Sequence, residues 1–169
     1  GLSSVSVEKA VGGRGHTIAL DSDGNIWTWG LNDEGQLGDN SRTRRTGPLV
    51  VSGVSGVTDI AAGYLHSLAV AGGNVWAWGN NGDDLNFNEL GDGGTTDQLW
   101  PVMLATISDV VHVSADYNHS LAVKSDGTVW AWGASWYGQL GIPGSTGETS
   151  PAQVGPLVTA ADICAGFFT

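Results

Sequence analysis

The sequence predicts an all-β fold built from tandem propeller blades, three complete and a fourth begun, and three observations predict it. A W-x-W-G phrase recurs, ending at Gly30, Gly79 and Gly133. The landmarks around it keep one order at a spacing of about 50 residues, within the range of propeller blades. Finally, apolar stretches are short and punctuated by 27 glycines, while helical periodicity is hard to find. Composition of that kind indicates a turn-rich β protein with a buried core.

The repeat is read from its anchors. The phrase-ending glycines lie 49 and 54 residues apart. Upstream stand His16-Thr17, His66-Ser67 and His119-Ser120. Downstream stand Gln36-Leu37-Gly38, Glu89-Leu90-Gly91 and Gln139-Leu140-Gly141, followed by Pro48, Pro101 and Pro151. The copies span approximately residues 5–56, 57–109 and 110–160 of a single repeat domain over 1–169. Residues 161–169 repeat the opening of the second copy: "ADICAGFFT" aligns with "TDIAAGYLHS".

Each copy then resolves into strands. A first strand precedes the histidine, in "VEKAVGG", "VTDIAAG" and "VVHVSAD". Two further strands follow it, joined by hairpins in which Asp23-Gly24 and Asp126-Gly127 are expected to be two-residue turns, with Gly72-Gly73 in the second copy, which is one residue shorter. In W-x-W both rings fall on one face of the strand. Rings spaced by two would fill the wedge between neighbouring blades, so Trp29, Trp78 and Trp132 are expected to be buried equivalently. The span from Gly79 to Gly91 is four residues longer than its counterparts, with "DDLNF" supplying the excess.

Composition narrows the function. Seventeen acidic against six basic residues give a net charge of −11, a field that opposes binding to nucleic acid or to an anionic membrane surface. No apolar run is long enough to cross a bilayer as a helix. One cysteine, Cys164, excludes an internal disulfide and a multi-thiolate zinc site. Catalytic readings are weak. Asp116, His119 and Ser120 lie close in sequence, but histidine followed by Ser or Thr recurs once per copy, and an active site needs one. A buried histidine bonding backbone in each blade is the expected arrangement. "DSDGN" at Asp21–Asn25 has the opening of a calcium loop but lacks its twelfth-position glutamate, so a hairpin turn is expected. "GGRGH" and "GDGGTT" lack the lysine and the following helix of a phosphate loop. Asn118-His119-Ser120 is a glycosylation sequon placed inside a repeat strand, where use is disfavoured. Neither a catalytic residue nor a metal or cofactor is assigned.

These residues resemble the RCC1-like repeats, the regulator-of-chromosome-condensation propellers, through G-x-x-H-[ST]-L-A, D-G-x-V-W-A-W-G and N-x-x-G-Q-L-G. The wording "SDGTVWAWG" is closer to the bacterial branch. The resemblance implies blades that are small antiparallel sheets of four strands, commonly seven to a closed ring. Asp116 departs from it, standing where the other copies have Gly13 and Gly63, so that turn is expected to be altered.

Strand positions repeat because the fold needs them, whereas loops vary and carry contacts. Candidate partner contacts are therefore Leu85 and Phe87 in the long loop, Trp100, the pair Trp136-Tyr137, and the basic run Arg42, Arg44 and Arg45. The reading is a non-enzymatic scaffold that binds a protein partner through blade loops. Carbohydrate binding, by stacking on Trp100, Trp136 and Tyr137, is the alternative from another class. Guanine-nucleotide exchange on a small GTPase is an alternative that the family resemblance supplies. Three blades cannot close a ring, so either further blades of a longer chain or self-association is expected.

Overall fold

The computed structural model describes residues 5–82, 88–157 and 159–166. Among these described residues, twelve strands form three antiparallel sheets of four, each in sequence order from the first strand to the fourth. The first blade holds β1 (Val7–Gly12), β2 (His16–Asp21), β3 (Ile26–Gly30) and β4 (Arg45–Val50). The second holds β5 (Val57–Ala62), β6 (His66–Ala71), β7 (Asn74–Gly79) and β8 (Gln98–Met103). The third holds β9 (Val110–Asp116), β10 (His119–Lys124), β11 (Val129–Ala134) and β12 (Gly147–Gln153). The first strands of all three blades line one common cleft of roughly 460 Å³, so β1, β5 and β9 face the propeller axis.

The middle strands carry the core. β6 is buried along its whole length, because a sheet sandwiched between two others is dry on both faces. Two clusters result, one at each junction: Ile18, Ile26, Ile60 and Trp78 between the first two blades, and Leu68, Val75, Val113 and Trp132 between the last two. The fourth strands are the outer edges, and each contains one of the repeat prolines: Pro48 in β4, Pro101 in β8 and Pro151 in β12. An outer edge tolerates a residue without an N–H, which a central strand does not.

Two of the three hairpins differ from expectation. Only Gly72-Gly73 is a two-residue turn, with φ of 57° and 77°. In the first blade Asp21 N–H donates to the Asn25 carbonyl and Gly24 N–H to the Asp21 carbonyl, which makes a three-residue loop with Gly24 at φ 77°. The third blade repeats this through Lys124, Gly127 and Thr128. A type I turn followed by a left-handed residue uses one more residue than the mirror-image turn, which explains the length difference. "DSDGN" is thus a turn. Its Asp21 carboxylate accepts from Trp27 Nε1 at 2.8 Å and from the N–H groups of Asp23 and Asn25. The Trp27 bond, aided by those from Asn25 and Asp23 and opposed by burial, holds Asp21 below the usual carboxylate range.

The repeated phrases meet at the blade junctions. The carbonyl of Gln36 in the first blade accepts two bonds from the second, from Trp78 Nε1 at 2.9 Å and Ser67 Oγ at 2.8 Å. The carbonyl of Glu89 accepts the same pair from the third blade, Trp132 Nε1 at 2.9 Å and Ser120 Oγ at 2.8 Å. His16 Nε2 lies 3.0 Å from Ser67 Oγ, and His66 Nε2 lies 2.9 Å from Ser120 Oγ. Each serine gives its one proton to the carbonyl, so the histidine must be the donor to it, in the Nε2–H tautomer. For His16 and His66 the side-chain partner is the next blade's hydroxyl, and a bond to the His66 backbone also acts on His16. The expected burial holds for Trp78 and Trp132, both 0% exposed. It does not hold for Trp29, which is only half-buried, because no blade packs against the outer face of the first sheet among the described residues.

The glycine after each Leu fits this joint. Gly91 sits under the indole of Trp132 at φ 75°, and an added Cβ would lie 2.6 Å from the ring. Gly91→Ala is therefore expected to cost about 2–4 kcal/mol by overpacking and left-handed strain together. Urea unfolding monitored by tryptophan fluorescence checks this, and a loss under half a kcal/mol would contradict it. Asp116 has a different consequence. A Cβ at Gly63 would lie 2.0 Å from His66 Cε1, so with Asp116 in that place the His119 ring cannot take the His66 position.

Candidate functional site

In every blade the loop after the third strand starts against the turn between the first two. Leu31 N–H donates to the Gly15 carbonyl, Asn80 to Leu65 and Ala134 to Asn118. One face of the ring thus carries both sets of loops. Near the axis, the turns form a row that links the blades by backbone bonds, Arg14 N–H to the Tyr64 carbonyl and Tyr64 N–H to the Tyr117 carbonyl, both 3.1 Å. The side chains follow suit. The Arg14 guanidinium stands 4.8 Å from the Tyr64 ring centre, and the Tyr64 and Tyr117 rings are 4.6 Å apart. Sequence reasoning missed this row. Its signal was present, the residue two positions ahead of each repeat histidine (Arg14, Tyr64 and Tyr117), but nothing in one copy says that these residues stack on the next.

Further out, two of the three long loops are clamped from within. Asn32 is fully buried; its side-chain carbonyl accepts Leu37 N–H at 3.0 Å, and its amide donates to Asp39 and to the Ser41 and Thr43 carbonyls. Asn81 does likewise with Leu90 N–H, Asp92 and the Thr96 carbonyl. Burial works to raise the pKa of Asp39, and bonds from Ser41, Arg45 and Asn32 outweigh it and keep the carboxylate below its usual range. The third loop has lost this clamp, since Ser135 and Ile142 replace the Asn and Asp. In its place Trp136 and Tyr137 stand 52% and 70% exposed. A cleft of roughly 630 Å³ opens beside them, lined by Ser135, Trp136, Ile142, Pro143 and Thr146 among others.

The other candidates separate into two groups. Arg42 is a bridge between blades: it donates to Glu34 Oε2 at 2.5 Å and to Asp97 Oδ2 at 2.7 Å. Arg45 is engaged by Asp39 at 2.6 Å. Arg44 is exposed and, with Arg14 and Trp29, borders a cleft of roughly 670 Å³ on the open side of the first blade. Trp100 is 55% exposed and walls a groove of roughly 630 Å³ with Asp39, Asn40, Val50, Ser52 and Pro101. Beside it, Asn40 N–H donates to the Leu99 carbonyl at 2.9 Å, which ties this loop to the outer strand of the second blade. Leu85 and Phe87 lie outside the described residues.

Asn118 and Ser120 of the sequon are buried, and Ser120 is bonded to Glu89 and to His66 rather than to His119. Among the described residues no three His, Cys, Asp or Glu side chains are grouped as a metal site.

Comparison with known proteins agrees with the architecture. The profile of the regulator of chromosome condensation (RCC1) repeat matches residues 23–70, 72–123 and 126–167, and a second profile of that repeat matches 7–36, 57–84 and 110–139. The human E3 ubiquitin-protein ligase HERC2 is 34% identical over 150 residues, covering 84% of this chain and 3% of the ligase. The Arabidopsis thaliana ultraviolet-B receptor UVR8 is 30% identical over 158 residues, covering 90% of this chain and 35% of the receptor. Among solved structures, yeast RCC1 (Prp20) bound to Kap60 superposes with a TM-score of 0.76 at 25% identity, over 88% of this chain and 37% of that one. The chain therefore spans about a third or less of the length of these proteins.

Proposed function

Because the chain belongs to the RCC1 repeat family, we propose that it is a non-enzymatic scaffold that binds a protein partner on the loop-bearing face of its blades. The observation that carries this reading is the third loop. Where its two counterparts are fastened by a buried asparagine, this one gives up the fastening and presents Trp136 and Tyr137 to solvent. Large aromatic side chains on a rigid frame are the usual anchors of protein interfaces. The Arg14–Tyr64–Tyr117 row on the same face extends the surface toward the axis. That yeast RCC1 has been solved bound to Kap60 supports a protein rather than a small molecule as the partner.

A partner isolated by proximity labelling in the source cells and then produced pure is expected to lose at least about 2 kcal/mol of binding to a Trp136→Ala, Tyr137→Ala double variant. The variant's thermal midpoint should stay within a few degrees of the parent, since exposed residues contribute little to the fold. Unchanged affinity in calorimetry would count against this face.

The Trp100 groove favours one second reading, carbohydrate binding, because a half-exposed indole stands beside the polar Asp39, Asn40 and Ser52. A glycan array decides between the two. A reproducible hit abolished by Trp100→Ala would support the lectin reading, and a blank array leaves the protein partner. Nucleotide exchange on a small GTPase is the finer alternative within the first reading. A loading assay with fluorescent nucleotide would reveal it.

A further inference from the structure

The three long loops differ in the side chains that close them. In the first, Arg45 Nε donates to Asp39 Oδ2 at 2.8 Å, and the Asn32 amide donates to Asp39 Oδ1 at 3.0 Å. In the second, Gln98 Nε2 donates to Asp92 Oδ2 at 3.0 Å, and the Asn81 amide donates to Asp92 Oδ1 at 2.9 Å. Two donors thus converge on one carboxylate, and all three groups belong to the same blade. The third blade has changed every one of these positions. Ser135 replaces the asparagine, Ile142 the aspartate, and Glu148 takes the place of Arg45 and Gln98, opposite the glycine that ends W-x-W-G. Both donors are gone, and a carboxylate stands where one of them stood. The change is internal to one blade and owes nothing to the blade on either side.

The result is a pair of acceptors without a donor. Ser135 is 3% exposed, and its Oγ is buried with no hydrogen-bond partner among the described residues. The half-buried Glu148 carboxylate makes no hydrogen bond and no ion pair among them. The six basic side chains of the chain are placed elsewhere: Lys9, Arg42, Arg45 and Lys124 face other carboxylates, Arg14 lies over Tyr64, and Arg44 borders the open side of the first blade. Because their counterparts meet on one carboxylate, Ser135 and Glu148 flank one place, and Ser135, Trp136 and Ile142 line the cleft beside it. Trp136 is exposed by its position. Its counterpart Asp33 is exposed too, although the second blade packs against the first loop there, Leu99 on Gly35.

We propose that the third loop takes up an arginine side chain of the protein partner. This rests on the reading of that loop as the partner's contact, and it names the chemistry the partner brings. The first loop closes on its own Arg45; the third leaves the same task to a group from outside. A guanidinium suits the place better than an ammonium. It is planar and forked, so it donates in its plane to the Glu148 carboxylate and to Ser135 Oγ while its face stacks on the Trp136 indole. Its methylene stem lies along Ile142, which has replaced an aspartate. The net charge of −11 draws a basic segment toward the face before any contact is made.

Nuclear magnetic resonance on chain labelled with nitrogen-15 tests this through the Trp136 indole N–H. The probes are a capped glycine–arginine–glycine peptide and the same peptide with citrulline, which keeps the shape of arginine and loses its charge. The arginine peptide is expected to move the Trp136 signal and to bind at least about tenfold more tightly than the citrulline peptide. Glu148→Gln should bring the two peptides to equal affinity, with circular dichroism unchanged. The triple variant Ser135→Asn, Ile142→Asp, Glu148→Arg gives the third loop the closure of the first and should bind neither peptide. Equal binding of both peptides by the parent, binding of neither, or a preference that survives Glu148→Gln would overturn the proposal. The isolated partner separates this from the reading beneath it. If that partner is weakened by Trp136→Ala with Tyr137→Ala but not by Glu148→Gln, the loop is the contact and the arginine is wrong. If neither variant weakens it, both fall.

Discussion

Replacing Trp78 by alanine is expected to destabilise the protein by about 3–5 kcal/mol, and replacing Trp29 to cost less than half as much. The two residues hold the same place in the repeat. They differ in what lies against them: Trp78 is fully buried and bonded to the Gln36 carbonyl of the blade before it, while Trp29 faces outward half-exposed. Removing Trp78 leaves a cavity at the first junction and takes away one of the two hydrogen bonds to the Gln36 carbonyl, the one from Ser67 remaining, and both effects add to the loss of buried apolar area. Stability in a repeat array is a sum over blades and their interfaces, so the damage is concentrated at one interface. For a chain of this size that loss lowers the melting temperature by roughly 6–20 °C. Scanning calorimetry on the two variants checks it. Equal losses for Trp78→Ala and Trp29→Ala would mean that position in the repeat, rather than the neighbouring blade, sets the burial.

That contrast marks where sequence reasoning reaches and where it stops. The inner three strands of each blade, the places of their hairpins and the number of blades were legible because short β-rich runs and Asp-Gly or Gly-Gly turns act over a few residues, and three copies confirm one another. The burial of Trp78 and Trp132 followed from the same pattern. The exposure of Trp29 did not, since it depends on a neighbour in space. The same holds for the joint itself: Trp78 and Gln36 are 42 residues apart, and no local signal names a backbone carbonyl as the partner. Arg42 stands out in the sequence as a candidate partner contact, whereas its bond to Asp97 on the next blade, 55 residues away, has no local signal. The outer strands hid behind their prolines, which argue against a central strand yet suit an edge. At the candidate face, Trp136, Tyr137 and Trp100 could be found by asking where the copies disagree. The Arg14–Tyr64–Tyr117 row could not, because it is visible only once the blades are side by side.

The second large effect is on pH. His66 is completely enclosed, and burial, reinforced by repulsion from His16 and His119, lowers its pKa to about 3. Burial likewise lowers His16 to about 4. Both folded values lie below the unfolded value near 6.5, so the unfolded chain binds protons that the folded chain refuses. The contribution of these histidines is therefore complete above pH 6.5 and is lost as the pH falls from there toward their folded values. Each one costs about 1.4 kcal/mol for every unit of that descent. Between pH 6 and pH 4.5 the two together should remove several kcal/mol, with unfolding by urea moving to lower concentration throughout. His66→Gln, which keeps an N–H to offer Ser120, should flatten the profile by roughly one proton's worth of slope. A parent whose urea midpoint is the same at pH 4.5 and pH 7 would show that neither ring is held neutral by the joint.

The claim on which the rest depends is that the triplicated tryptophan phrase fastens each blade to the one before it. Hydrogen exchange at the indole N–H groups tests it most directly, read by nuclear magnetic resonance on chain labelled with nitrogen-15. Trp78 and Trp132 should exchange only through global unfolding, at rates that follow the stability of the whole protein as urea is added. Trp100, exposed on its edge strand, should exchange at close to the rate of a free indole. If Trp78 and Trp132 exchanged as fast as Trp100, their N–H groups would not be spent on the preceding blade, and the phrase would need another explanation.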